Sequence, residues 1–245
     1  MSWMFPRSSG IHAPETREWI LGALYLPVFL LFLNFAILTY FPALGFPLTE
    51  PRNYFFANLL YMTVNFAVML LIFRRTLWQS LREFEGKMLL SVLIGFGMCY
   101  GANLVLTTAY TVLDIMPENY NQEAVNSLLG GYPLAMTLCT VVLAPLAEEC
   151  LFRGVLFAPL ARRCLPAAYA LSMFLFAGMH VFQFLGSMTA ANTILCLSLY
   201  LPASFSLCWV YQKTGNIWAG IFLHMFINFQ SVLASLLRSL MQAFL

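Results

Sequence analysis

The segment APLAEECLFRG, residues 144–154, places two carboxylates and a guanidinium inside an otherwise apolar run. A charged side chain is costly near the middle of a bilayer, so such a group ordinarily faces a protein interior, is paired and has a function. We therefore interpret Glu148, Glu149 and Arg153 as part of a catalytic site around which the rest of the chain is organised.

Composition identifies the class of protein. Of the 245 residues, 61% are hydrophobic and 9% are charged, against about 25% charged residues in a typical soluble domain. The sequence thus predicts an integral membrane protein. A net charge of +2, without a basic patch, argues against nucleic acid as a partner. The six cysteines show no CxxC spacing, which argues against a disulfide framework or a zinc knuckle.

Hydrophobic runs predict the architecture. A spanning helix needs about 20 mostly apolar residues, and this rule predicts an all-α polytopic bundle of about seven transmembrane helices. They are expected at 19–41, 54–73, 88–113, 132–157, 166–185, 193–211 and 216–236. The predicted organisation is a cytoplasmic N-terminal segment 1–18 that is not a cleavable signal peptide, three spans within 19–131, a catalytic core 132–236 and a tail 237–245.

Basic residues predict the orientation, because Lys and Arg favour short cytoplasmic loops. Nine of the twelve fall on one side of the predicted bundle, namely Arg7, Arg17, Arg74, Arg75, Arg82, Lys87, Arg162, Arg163 and Lys213. We therefore expect a cytoplasmic N-terminus, in what the small size suggests is a prokaryotic cytoplasmic membrane. Residues 74–82 are either a short interfacial helix with Trp78 at the headgroups or a plain basic loop.

Ionisable groups at membrane depth are few. They are Glu148, Glu149 and Arg153 on the fourth span, His180 on the fifth and His224 on the seventh. At a rise of about 1.5 Å per residue, Glu148 and His180 both lie about 21 Å of helix from the predicted cytoplasmic face. We expect these groups to line one wet cavity that is reached more readily from the cytoplasm.

Spacing within each helix adds detail. Glu149 and Arg153 are separated by four residues and can pair, which leaves Glu148, about 100° around the helix, free to face the cavity. This pair can equally be purely structural. His224 and Asn228 share a helix face by the same spacing. Pro145, Gly154 and Gly178 are expected to allow bending and close approach of helices.

Three ordered motifs carry a family resemblance. Glu148-Glu149-x-x-x-Arg153, Phe176-x-x-x-His180 and His224-x-x-x-Asn228 resemble the CPBP family, also called ABI, of CAAX proteases and bacteriocin-processing enzymes. The likeness covers roughly residues 132–230 and includes flanking residues such as Ala144-Pro145. It implies a glutamate-dependent intramembrane endopeptidase that needs no bound metal.

The resemblance also implies roles that the chemistry of peptide hydrolysis needs. Glu148 with His180 would hold and deprotonate a water molecule, and Glu149 with Arg153 would support that helix. His224 and Asn228 would donate hydrogen bonds to the developing oxyanion. The expected partners are membrane lipid and a peptide, or a lipid-modified or membrane protein, that is cut near its end.

Other readings remain open from sequence. One Glu and two His could form a catalytic zinc set, although the chain has no HExxH motif. Cys150 adjoins the acids, but it points to another face and is not expected to be a nucleophile. A rival function is a non-proteolytic binding or immunity protein that holds a peptide, a prenyl chain or a membrane partner in the same bundle. A transporter is disfavoured because the chain shows no paired halves.

Overall fold

The computed structural model describes residues 13–243. Arg7 and the last residues of the predicted tail lie outside them. Seven helices in the described part of the chain are long and apolar enough to cross a membrane, and no strand occurs there. In chain order they are span one (Thr16–Ala43), two (Pro51–Ile72), three (Lys87–Val112), four (Pro133–Ala161), five (Leu165–Phe182), six (Ala190–Thr214) and seven (Ile217–Gln242). This confirms the predicted all-α bundle.

The ends of the spans differ from the predicted ends by a few residues, the largest difference being six at the end of span seven, 242 against 236. Among the described residues, two α-helices and one short 3₁₀ helix (Leu185–Ser187) occur between spans. We name the two α-helices the basic helix (Arg74–Arg82) and the loop helix (Tyr120–Gly131). The loop helix was not predicted. Asn119 caps it by accepting a hydrogen bond of 3.1 Å from the backbone N–H of Gln122, as Asn commonly does at this position.

Spans one and four contain wider, π-helical turns at Val28–Phe32, Cys139–Leu143 and Cys150–Phe157. Proline explains one of them in detail. The N–H of Ala144 donates to the carbonyl of Cys139, five residues earlier. The next bond of this pattern would join residue 145 to Thr140, but Pro145 has no N–H to donate. The carbonyl of Thr140 is therefore open to a partner from elsewhere.

Side chains from other spans donate to a carbonyl in each of these turns. The three bonds are Tyr61 Oη to Phe29 O at 2.9 Å, Trp19 Nε1 to Val155 O at 3.0 Å, and Asn228 Nδ2 to Thr140 O at 2.8 Å. In an apolar environment an unpaired backbone carbonyl is costly. These bonds thus allow the wide turns to persist and fix neighbouring spans against them.

The basic helix is a helix and not a plain loop, as the first of the two sequence interpretations predicted. It holds the start of span seven. Asn216 Nδ2 donates to Ser80 O at 2.6 Å, the N–H of Ile217 donates to Ser80 Oγ at 3.0 Å, and Trp218 Nε1 donates to Leu77 O at 2.8 Å. These bonds set the depth and rotation of the span that carries His224.

Ser80→Ala is expected to destabilise the bundle by about 1 to 2 kcal/mol, because it leaves the buried N–H of Ile217 without its acceptor. Thermal unfolding of the purified protein in detergent measures the effect. Ser127→Ala, at an exposed position of the loop helix, is the matched control. Equal midpoints for the Ser80 and Ser127 variants would contradict the assigned role of Ser80.

Glycines allow close contacts at two places. A Cβ on Gly95 of span three would lie 2.5 Å from Val210 Cγ2 and 2.9 Å from Leu223 Cδ2, and one on Gly154 would lie 2.8 Å from the Phe73 ring. The predicted close approach at Gly154 is therefore confirmed. The same expectation for Gly178 is wrong, because a Cβ there would meet no atom within 4 Å. Gly178 faces the open cavity instead.

Candidate active site

Glu148 and Glu149 lie in a short α-helical stretch, Ala144–Glu149, between two of the π-helical turns of span four. Glu149 and Arg153 are completely buried, and Glu148 is 9% exposed. The stretch begins at Pro145, which ends the hydrogen-bond pattern of the preceding turn. The local sequence thus sets the rotation at which the two carboxylates enter the bundle.

The predicted pairing of Glu149 with Arg153 is present, with 3.1 Å between Arg153 Nε and Glu149 Oε2. Arg153 Nη2 also donates to the carbonyl of Ser204 at 3.2 Å, and its guanidinium lies 5.0 Å above the centre of the Phe176 ring. A buried arginine held by a carboxylate, a carbonyl and an aromatic face has little freedom. It fixes Glu149 and compensates one of the two negative charges.

His224 connects the two glutamates. Its Nδ1 lies 2.9 Å from Glu149 Oε1, and its Nε2 lies 3.8 Å from Glu148 Oε2. Since a carboxylate accepts, Nδ1 donates to Glu149 and Nε2 faces Glu148. Glu148 Oε2 itself has no hydrogen-bond partner among the described residues. The result is a chain of four groups, Arg153, Glu149, His224 and Glu148, that ends in a buried carboxylate on a residue that lines a cavity.

Gly220 lets span seven approach Glu149. A Cβ at this position would lie 3.1 Å from Glu149 Oε2, closer than most real contacts. Gly220 precedes His224 by one helical turn, so both residues lie on the same face of span seven. At Gly220 the backbone contacts Glu149, and at His224 the imidazole does. Sequence reasoning missed this residue, although its spacing of four residues from His224 was a usable signal.

His180 is held in a different way. Its Nδ1 lies 2.8 Å from the carbonyl of Phe176, one turn earlier, and its ring stacks on Tyr200 with centroids 4.5 Å apart. Because a carbonyl only accepts, Nδ1 carries the hydrogen and Nε2 of the neutral ring is an acceptor. Tyr200 in turn donates to Asn119 at 3.0 Å, which ties the ring to the start of the loop helix. Sequence reasoning missed Tyr200.

Asn228 donates one amide hydrogen to the carbonyl of Thr140, which Pro145 leaves open. An amide nitrogen carries two hydrogens, so one remains for a ligand. Asn228 lines both of the cavities described next, which makes that hydrogen accessible to a substrate.

Two cavities meet at these residues. The larger, of about 500 Å³, is lined by Glu148, His180 and Asn228, and the smaller, of about 340 Å³, by His180, His224 and Asn228. Volumes of this order suit small-molecule or peptide ligands. The four residues predicted as catalytic are therefore brought together at the walls of adjoining cavities, although they come from three different spans.

The large cavity extends to one end of the bundle. Consecutive spans alternate in direction, so loops 44–50, 113–132 and 183–189 meet at one end, which we call the loop-helix end. Its lining includes Leu48, Gln122 and Gln183, which lie at the loop-helix end. The basic helix lies at the opposite end, next to the start of span one, where Arg75 Nη1 lies 2.9 Å from Glu15 Oε2.

This placement bears on the expectation of cytoplasmic access, which stays a prediction. Under the orientation predicted from Lys and Arg, the basic end is cytoplasmic, and Leu48, Gln122 and Gln183 lie at the other end. The depth estimate was drawn from one end only, whereas Glu148 stands 15 residues after the start and 13 before the end of span four (148 − 133 and 161 − 148). Its level favours neither face.

Metal ligation was left open by the sequence. Within residues 13–243, no three His, Cys, Asp or Glu side chains are grouped so that they could hold a metal ion. Cys150 is completely buried in the apolar core. Metal independence stays a prediction.

Comparison with known proteins shows what this chain is similar to. Residues 130–230 match the family model described as Type II CAAX prenyl endopeptidase Rce1-like. The chain is 28% identical over 166 residues to the Bacillus subtilis (strain 168) protein named "Putative membrane peptidase YdiL", covering 66% of this chain and 64% of that protein. No solved structure matches. The matched segment carries every residue of the site.

Proposed function

We propose that the chain is an intramembrane endopeptidase that hydrolyses a peptide bond near the end of a membrane-associated or lipid-modified protein. The observation that carries this proposal concerns Glu148, which lines the large cavity. Its Oε2 accepts no hydrogen bond from the described residues and lies 3.8 Å from Nε2 of His224. The family model supports the substrate class, since it describes a CAAX prenyl endopeptidase.

Charge balance in the cluster supports a role for His224 in binding the negative charge that develops on the substrate. Two carboxylates and one guanidinium leave one buried negative charge uncompensated, which is costly in a protein interior. One proton on His224 neutralises the cluster. His224 then donates through Nδ1 to Glu149 and presents Nε2–H toward the position where negative charge develops on a substrate carbonyl. Arg153 and Glu149 keep the imidazolium in place.

Water activation falls to Glu148 and His180. A water molecule at the cavity wall donates one hydrogen bond to Glu148 Oε2 and the other to the acceptor Nε2 of His180. Glu148 takes a proton from this water as its oxygen attacks the carbonyl carbon. The tetrahedral intermediate places its oxyanion near His224 Nε2–H and the free amide hydrogen of Asn228. The C–N bond then breaks, and Glu148 returns the proton to the leaving amine.

The experiment is a cleavage assay with the purified chain in lipid vesicles and an internally quenched, farnesylated peptide that ends in a CAAX sequence. We expect fluorescence to rise and two peptide fragments to form. Tight binding of the peptide without fragments would contradict the proposal and favour the rival function, a binding protein that keeps the same bundle.

Cys150→Ala is expected to leave turnover within about twofold of the wild type, and metal chelators are expected to have no effect, because every step above uses carboxylate, imidazole and amide groups. The same vesicle assay measures both. Loss of turnover on chelation that added zinc restores would show that a bound metal is required.

A further inference from the structure

We propose that Asn58 and Asn65 of span two bind the backbone of the substrate as an extended strand alongside Glu148. This inference rests on the proposed function and concerns a span outside the family-matched segment 130–230. It assigns a binding role to a part of the chain whose only sequence signal was its hydrophobicity.

Asn65 presents an unused donor. It is 2% exposed, and its Oδ1 accepts a hydrogen bond of 2.9 Å from Tyr25 Oη. Its Nδ2 is buried and has no hydrogen-bond partner among the described residues, yet the residue lines the large cavity. A buried amide nitrogen without an acceptor costs about 1 to 3 kcal/mol. Tyr25 thus holds the amide so that its donor side is left for a ligand in the cavity.

Asn58 presents an unused acceptor. Its Oδ1 is buried and unpartnered, and the residue lines the same cavity. Asn53, on the same span, shows the ordinary case, because its amide donates to Pro47 O at 3.1 Å and to Glu50 Oε2 at 3.2 Å. Unsatisfied amides are therefore confined on this span to the part that faces the cavity.

The two amides have the spacing of an extended peptide. Residues 58 and 65 are seven apart, so they share one helix face and are separated by about 10.5 Å along the axis. Three residues of an extended strand cover about 10 Å. The donor of Asn65 and the acceptor of Asn58 can thus bind a backbone C=O and a backbone N–H about three residues apart. A lipid chain offers neither group.

The span that carries Asn58 and Asn65 lies beside Glu148. Span two packs directly against the Ala144–Glu149 stretch. Tyr61, between the two amides in sequence, lines the same cavity as Glu148. A peptide strand held along span two would therefore run beside Glu148 with its backbone fixed on both sides of the reacting bond, which shortens the search for a productive pose.

The test separates binding from chemistry. In the Glu148→Gln background, which holds the peptide without cutting it, the Kd of a fluorescent farnesylated CAAX peptide is measured by anisotropy in lipid nanodiscs. We expect Asn58→Ala and Asn65→Ala each to weaken binding by about 3- to 10-fold. Ser127→Ala, at an exposed position of the loop helix, should leave Kd unchanged.

A second measurement leaves span two intact, so that misfolding of a variant cannot obscure the result. Peptides in which one backbone N–H at a time is replaced by an ester oxygen are bound to the same protein. One position should lose affinity, and that loss should vanish in the Asn58→Ala variant, since the acceptor is then already gone. Three results would overturn the inference. They are a loss of affinity that adds to the effect of Asn58→Ala at every ester position, unchanged Kd values in both Asn variants, and no measurable binding of the peptide.

Failure of this inference is distinguishable from failure of the proposed function. If the wild type cuts the peptide while neither Asn variant nor any ester changes Kd, only the peptide-binding role of span two is wrong. If the Kd pattern is as expected but the wild type yields no fragments, the chain binds peptides along span two and the proposed hydrolysis is wrong.

Discussion

Glu148→Gln is expected to lower kcat by about 1000-fold while the Kd of the farnesylated peptide stays within about twofold. A positioned general base contributes about 100- to 10,000-fold to such a rate, and the amide keeps the shape of the side chain without accepting a proton. Glu148 is the member of the charged cluster with an unpaired oxygen at the cavity wall. Initial rates in vesicles and anisotropy in nanodiscs measure the two quantities.

Glu123→Gln, at an exposed position of the loop helix, is the matched control and should cut at the wild-type rate. Both variants must show the thermal midpoint of a folded bundle. Turnover by Glu148→Gln within tenfold of the wild type would remove Glu148 from the mechanism.

Arg153→Met is expected to destabilise the protein by about 3 to 5 kcal/mol, because it removes the guanidinium that compensates the buried carboxylate of Glu149. Turnover should fall as well, since Glu149 orients His224. Thermal unfolding in detergent and the vesicle assay measure the two effects. Arg52→Ala, on an exposed part of span two, is the control.

The double variant Arg153→Met, Glu149→Gln separates stability from activity. Removing both charges is expected to recover most of the lost stability, because an apolar or neutral pair no longer carries the cost of a buried ion. Turnover should stay low, since a neutral amide does not stabilise a charged His224. Full activity in this double variant would show that the Glu149–Arg153 pair is purely structural and plays no part in holding His224.

Much of the fold was readable because membrane spans obey a simple length rule. The seven runs of about 20 apolar residues gave the bundle, and the four-residue spacing of Glu149 and Arg153 gave their ion pair. The π-helical turns were not predicted, although Pro145 marks where one of them ends. A proline in the sequence shows where a backbone hydrogen bond is missing. Only the structure shows that the Asn228 amide donates to the carbonyl that is left open.

The candidate site was predicted less completely, because spacing along one helix gives depth and face but not the rotation of one helix against another. Sequence placed His180 at the same depth as Glu148. It could not show that His224 bridges both glutamates while His180 bonds its own helix and stacks on Tyr200. The depth of Glu148 was measured from one end of the span only, so its level does not decide from which face the cavity is reached.

The most direct test of the central claim, that the buried cluster activates a water molecule for peptide hydrolysis, is a single-turnover reaction in H₂¹⁸O. Excess wild-type protein in vesicles is mixed with the farnesylated peptide, and the fragments are analysed by mass spectrometry. We predict that the new carboxyl terminus carries one ¹⁸O atom in the first turnover and that added hydroxylamine, which intercepts acyl-enzymes, yields no hydroxamate. A new terminus without ¹⁸O, a hydroxamate product, or a peptide that remains intact while bound would contradict the claim.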